Sequence, residues 1–244
     1  MQSLSAAQLV GVWERGLGQS SLDRALTMLA DAYPEMTRAE LAALSVGERD
    51  ARLLALRERQ FGGELKSFAE CPRCSSGLEF SLDVNELRNR PPSAIDASSA
   101  ELIAGDIRLR LRPLDSADLQ AAADCRDVEG ARQILLERCV VEAKQNGESI
   151  AMGDLPADCV ERLSARLAVS ESQTDTMLDL QCVACGHVWQ LALDIAAFLW
   201  TEIAAVARRC LNEVHTLAWA YGWGEADILA MSPARQQFYL ERVS

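Results

Sequence analysis

Eight cysteines are spread through the 244 residues, and four of them fall in two copies of one pattern, Cys71-Pro-Arg-Cys74 and Cys182-Val-Ala-Cys185. A Cys-x-x-Cys pair offers two thiolates to one metal ion, and two such pairs complete the tetrahedral four-sulfur set of a closed structural zinc site. Cys71, Cys74, Cys182 and Cys185 are therefore the expected ligands of one structural zinc.

The residues that follow the two pairs align with each other without a gap. Leu78 matches Trp189, Phe80 matches Leu191, Leu82 matches Leu193 and Asp83 matches Asp194. In both copies apolar residues alternate with polar or small ones, the period of a half-buried strand, and Leu178 and Leu180 flank Asp179 in the same way before the second pair. Each pair is expected to cap a hairpin, and the two hairpins to share the zinc. The result would be a zinc ribbon whose halves are separated by roughly a hundred residues, too long for a loop and about the size of a small inserted domain. Two unrelated knuckles or disulfides are the alternative. So is redox chemistry, although a redox Cys-x-x-Cys usually lies where a strand enters a helix, not between two extended segments.

Other reactive chemistry is sparse. His187 and His215 are the only histidines. His187 follows the second pair as Cys185-Gly-His and is expected beside the metal, because four thiolates already close the site. Closed zinc leaves no position for an attacking water, and the sequence contains no phosphate-cradling glycine loop and no serine-nucleophile signature. The chain reads as a non-enzyme without a small-molecule substrate. Its formal charge of -12 and pI near 4.7 oppose wrapping nucleic acid or anionic lipid. No apolar run reaches transmembrane length, and Met1-Gln-Ser-Leu does not open like a signal peptide, so membrane insertion is not expected and the cytoplasm is the expected compartment. Cys125, Cys139, Cys159 and Cys210 have no second thiol or histidine at ligand spacing and read as buried small hydrophobes.

The elements that must position the cysteines follow from hydrophobic period and punctuation, and 49% hydrophobic residues provide for an ample core. Residues 1–64 form a helical segment. Leu9, Val12 and Trp13 make one stripe, and Leu22, Leu26 and Leu29 make another that stops at Tyr33-Pro34. Thr37-Arg-Ala-Glu40 and Ser45-Val-Gly-Glu48 are capping boxes, and the helix opened by the second ends at Phe61-Gly62-Gly63. Arginine crowds beside leucine between Arg49 and Arg59, which suits a solvated face of ion pairs or a partner-binding ridge. Residues 65–87 are the first hairpin. Residues 88–175 are a mainly helical insertion behind a linker, Arg88-Asn-Arg-Pro-Pro-Ser-Ala. It opens with a strand that sets Ile107, Leu109 and Leu111 on one face and Arg108, Arg110 and Arg112 on the other. Those arginines could meet an acidic partner or mark a solvated sheet edge. Helical patterns follow at Asp118 to Ala123, Val128 to Ala143 and Pro156 to Leu167. Residues 176–194 are the second hairpin, and 195–244 a C-terminal helical segment. The expected class is α+β, mostly helical.

That last segment holds seven of the thirteen aromatics: Phe198, Trp200, Trp219, Tyr221, Trp223, Phe238 and Tyr239. Clustered Trp and Tyr suit either a core or the anchors of an interface. His215, Trp219, Tyr221, Trp223 and Ile228 are the candidate partner-binding residues. Phe198-Leu-Trp200-Thr-Glu-Ile, Glu213-Val-His215-Thr-Leu-Ala218 and Ala220-Tyr-Gly-Trp223-Gly-Glu-Ala-Asp-Ile-Leu229 resemble the end of the baseplate hub assembly chaperones of T-even-type contractile phage tails. Similar proteins occur in phage-derived contractile injection systems. The opening is similar too, in Trp13-Glu-Arg-Gly and in Arg49 to Arg57 with Phe61-Gly62 after it, while the insertion matches only loosely around Ile107 to Asp118. The resemblance implies a protein acting in construction of the baseplate hub, with hub, spike or wedge proteins as partners, cytoplasmic during assembly and in the baseplate if retained. The competing readings are a zinc-ribbon regulator of nucleic acid, which the charge opposes, and a generic zinc-stapled adaptor.

Overall fold

A computed structural model describes residues 1–88, 101–174 and 176–243. Helix makes up 55% and strand 20%, so the class is α+β with helix dominant.

Caps explain where the first helices begin. Helix α1 (Ala6–Gly16) starts at Ser5, whose hydroxyl accepts the Gln8 N–H while the Gln8 side chain accepts the Ser5 N–H. Helix α2 (Ser21–Ala32) is capped by Ser20. At α3 (Arg38–Ala42) and α4 (Val46–Phe61), Thr37 with Glu40 and Ser45 with Glu48 make the reciprocal bonds of the two boxes read from the sequence. Gly62, at φ 91°, takes the left-handed conformation that ends α4.

Strands β1 (Glu64–Glu70) and β2 (Gly77–Asp83) form an antiparallel hairpin that runs into α5 (Val84–Arg88). From Asn89 on, the proline-containing linker lies outside the described residues. Beyond it come β3 (Glu101–Ala104), β4 (Ile107–Leu111), α6 (Ser116–Ala123), α7 (Val128–Cys139), β5 (Val140–Gln145), β6 (Glu148–Ser149), a 3-10 turn at Met152–Asp154 and α8 (Ala157–Thr174). The second hairpin, β7 (Thr176–Gln181) and β8 (Val188–Leu193), leads into α9 (Ile195–Tyr221), followed by α10 (Glu225–Leu229) and α11 (Pro233–Leu240).

The insertion departs from its sequence reading in two places. The helix expected to reach Ala143 ends at Cys139, and Val140 enters β5 directly. Adjoining Val140 and Val141 favour extended backbone, and the preceding strand offers a partner: the Arg112 N–H donates to the Cys139 carbonyl at 2.8 Å. In addition, β4 is an interior strand of an antiparallel sheet of order β3-β4-β5-β6, so its arginines do not protect an edge. Ile107, Leu109 and Leu111 share a core with Leu136, Cys139, Cys159 and Leu163. On the other face Arg110 reaches Glu142 at 3.9 Å, while Arg112 clasps buried Asp118.

The chain divides into two compact units. One comprises Met1–Leu41, Arg52–Gly62 and Ile195–Ser244; the other comprises Ala42–Ala51 and Gly63–Asp194. In the first, α1 and α2 pack against α9. Gly16 permits the close approach, since a Cβ there would sit 2.3 Å from the Trp200 ring. Arg57, near the end of α4, belongs neither to a solvated face nor to a free ridge, whereas Arg59 is exposed. Arg57 is 3% exposed, holds both Glu202 oxygens at 2.8 and 2.9 Å, and donates to the Gly62 carbonyl. The second unit holds the insertion and both cysteine hairpins.

Candidate metal centre

The two hairpins present their cysteines in the same way. Both pairs sit in the turn of an antiparallel hairpin, between β1 and β2 and between β7 and β8. In the first turn the Ser75 N–H donates to the Cys71 carbonyl and the Cys71 N–H to the Ser76 carbonyl; in the second, Gly186 and His187 make the equivalent bonds with Cys182. Ser75 and Gly186 occupy matching positions and both have positive φ, 58° and 69°. This left-handed residue turns the chain so that the next N–H points back at the second sulfur of its pair: Ser76 toward Cys74, His187 toward Cys185. Below the turns, Ala69, Leu178 and Leu180 form a buried core with Leu78, Phe80, Leu82, Trp189 and Leu193, so the alternation seen in the sequence faces inward except at Leu191, the counterpart of Phe80, which is exposed.

This shared core brings the four thiols together. All four sulfurs lie within 4.8 Å of one another, with cross-hairpin separations of 3.7 Å for Cys71 to Cys185 and 3.6 Å for Cys74 to Cys182. Zinc–sulfur bonds of about 2.3 Å at tetrahedral angles put sulfurs about 3.8 Å apart, so the constellation has the size that such an ion requires. Cys71 and Cys182 are buried, Cys185 is half-buried and Cys74 is exposed. The electrostatics also suit a cation. The Ser76 hydroxyl and backbone N–H stabilise the Cys74 thiolate and lower its pKa to about 6. At Cys185 the His187 N–H pulls the same way, but burial and the neighbouring sulfurs prevail and push it up to about 12. Successive thiolates in so small a space repel, and a divalent cation relieves that repulsion.

His187 contributes its backbone to the turn, while its ring stacks along Trp189 at 6.1 Å. Among the described residues the metal-capable group is the four cysteines alone. Cys139, Cys159 and Cys210 are buried apart from it, and Cys125 is half-buried. Sequence reasoning did not single out Ser75, Ser76 or Gly186. The gapless match of Ser75 to Gly186 was the available signal for a left-handed position.

The five candidate partner residues of the C-terminal segment fall into three environments. Ile228 is fully buried in a core with Val214 and Leu217, which corrects its reading as a surface contact: its side chain fastens α10 to α9. Tyr221 and Trp223 stack at 4.5 Å, with Tyr239 edge-on to both, at the half-buried margin of that core. His215 and Trp219 stand exposed on α9, Trp219 at 87%.

Two cysteine hairpins converging on one four-sulfur site within an α+β chain define a candidate tetrathiolate metal-binding protein. A model of the T4 bacteriophage base plate protein family matches residues 18–200, three quarters of the length and all four cysteines included, and the chain belongs to that family. No curated protein and no solved structure matches it.

Proposed function

We propose that this chain is a non-enzymatic, zinc-stapled protein that acts in assembly of the baseplate hub of a contractile tail or injection system. Its partners are hub, spike or wedge proteins, and it works in the cytoplasm while the particle is built. The observation that carries the baseplate reading is the family match across residues 18–200. The thiol geometry supports zinc, and a four-sulfur site closes the coordination sphere against substrate or water. Zinc would supply a fixed bond between the hairpins at either end of the insertion, with Cys71 and Cys74 as ligands from one and Cys182 and Cys185 from the other. Among the described residues no helix is long and apolar enough to cross a membrane.

Mass spectrometry of contractile particles purified from cells making the protein tests the reading. Constant stoichiometry in particles identifies a retained subunit. Absence from particles whose assembly fails when the protein is deleted identifies an assembly factor that departs. Absence with normal assembly contradicts the proposal.

A further inference from the structure

Helix α9 carries an outward face that the packing of its unit leaves uncovered. Thr201, Ala205, Arg208, Asn212, His215 and Trp219 are all exposed and recur at spacings of four and three residues. That repeat places them in one stripe about 27 Å long at the helical rise per residue. The opposite side of the helix, with Leu199, Ile203, Ala207, Val214 and Leu217, is buried.

Two properties of the stripe point to what covers it. Its anchor is Trp219, 87% exposed, and buried tryptophans are enriched among the residues that dominate binding interfaces. Its charge is opposite to that of the chain. The protein has 36 carboxylate and 24 Lys and Arg side chains, yet the stripe has no carboxylate. The two acids on α9 outside it are engaged, Glu202 by Arg57 and Glu213 by Arg209 at 3.7 Å. Arg208, within the stripe, forms no ion pair among the described residues, and Arg209 beside it is 68% exposed at its side chain. Thr201 and Ala205, small residues at the far end from Trp219, let a second backbone approach closely.

We infer that this face of α9 docks an acidic helix of another baseplate protein, laid along the stripe with Trp219 as its anchor; the inference rests on the baseplate reading above. A helix laid along the face would touch residues spaced four and three apart, and an acidic one would meet Arg208, which has no ion pair among the described residues, with no carboxylate in the stripe to repel it. A symmetric pairing with a second copy would offer Arg208 no carboxylate from the facing stripe, which opposes it. Nucleic acid would meet the negative field of the rest of the chain.

Photo-cross-linking in cells that assemble the particles provides the test, with p-benzoylphenylalanine replacing Ala205 in one full-length protein and Ile103, exposed on the insertion's sheet, in a control. The inference expects position 205 to cross-link to a helical, Asp- and Glu-rich peptide of one baseplate protein. Trp219→Ala and Arg208→Glu should each lower that yield about tenfold. Both side chains are exposed, so the fold should survive, as circular dichroism would verify. A cross-link from position 205 to a second copy of this chain, to nucleic acid or to a peptide without acidic residues overturns the inference. Silence at 205 in protein that co-purifies with particles or their precursors also overturns it and leaves the baseplate reading standing. If the protein is absent from both and assembly is normal, the two fall together.

Discussion

Ser75 has a φ of 58°, where a β-carbon crowds the backbone, and its counterpart in the second hairpin is Gly186 at 69°. Glycine takes this conformation without penalty, whereas serine stores strain of order 1 kcal/mol. Ser75→Gly should therefore raise stability by about 0.5–1 kcal/mol, while Gly186→Ala should lower it by about 1 kcal/mol, both read from urea midpoints of the metal-loaded protein. Asp118 is fully buried. Burial alone would raise its pKa, but the bidentate Arg112 guanidinium, the Asp115 N–H and Arg138 outweigh it and hold the carboxyl below the usual range. Because the folded pKa is depressed, this stabilisation is complete above the unfolded value of about 3.9 and is lost as pH falls through the folded pKa. Urea titrations should show Asp118→Asn less stable than the parent at neutral pH by about 1–3 kcal/mol, with the gap closing below about pH 4.

At the scale of elements, α1 and α9 meet where Gly16 faces the Trp200 ring. Gly16→Ala gains up to about 1 kcal/mol of helix propensity but drives a methyl into an indole that Arg24 covers at 4.6 Å. The clash should win, lowering stability by about 1–2 kcal/mol in thermal melts. Local signals made several elements legible in the sequence. Thr37 with Glu40, Ser45 with Glu48 and the alternation through Leu178 and Leu180 act over three or four residues, and each marks its element. The β5 strand was hidden because Leu136, Cys139, Val140 and Ala143 prolong a helical period, and only pairing with distant β4 selects extended backbone. The burial of Arg57 was equally hidden, since Glu202 lies 145 residues away. Trp219 and Ile228 looked alike in sequence, and three-dimensional packing alone buries one and exposes the other.

For the whole molecule, the thiol site closes a long stretch of chain. Repetition made it readable: two matching Cys-x-x-Cys hairpins predict one another, which scattered interface residues do not. Cross-hairpin separations of 3.6 and 3.7 Å put both pairs around one point, so a bound ion would be shared, and an ion bridging residues so far apart in sequence would restrict the unfolded chain as well as fasten the folded one. Native mass spectrometry of the purified full-length protein tests that sharing, with metal identity fixed by elemental analysis. One zinc per chain is expected in the parent, and Cys71→Ser and Cys182→Ser should each lower zinc affinity sharply and destabilise the fold by similar amounts, because either opens the same site. Two metals per chain, or one variant keeping full zinc affinity while the other loses it, would contradict a single centre built from both hairpins.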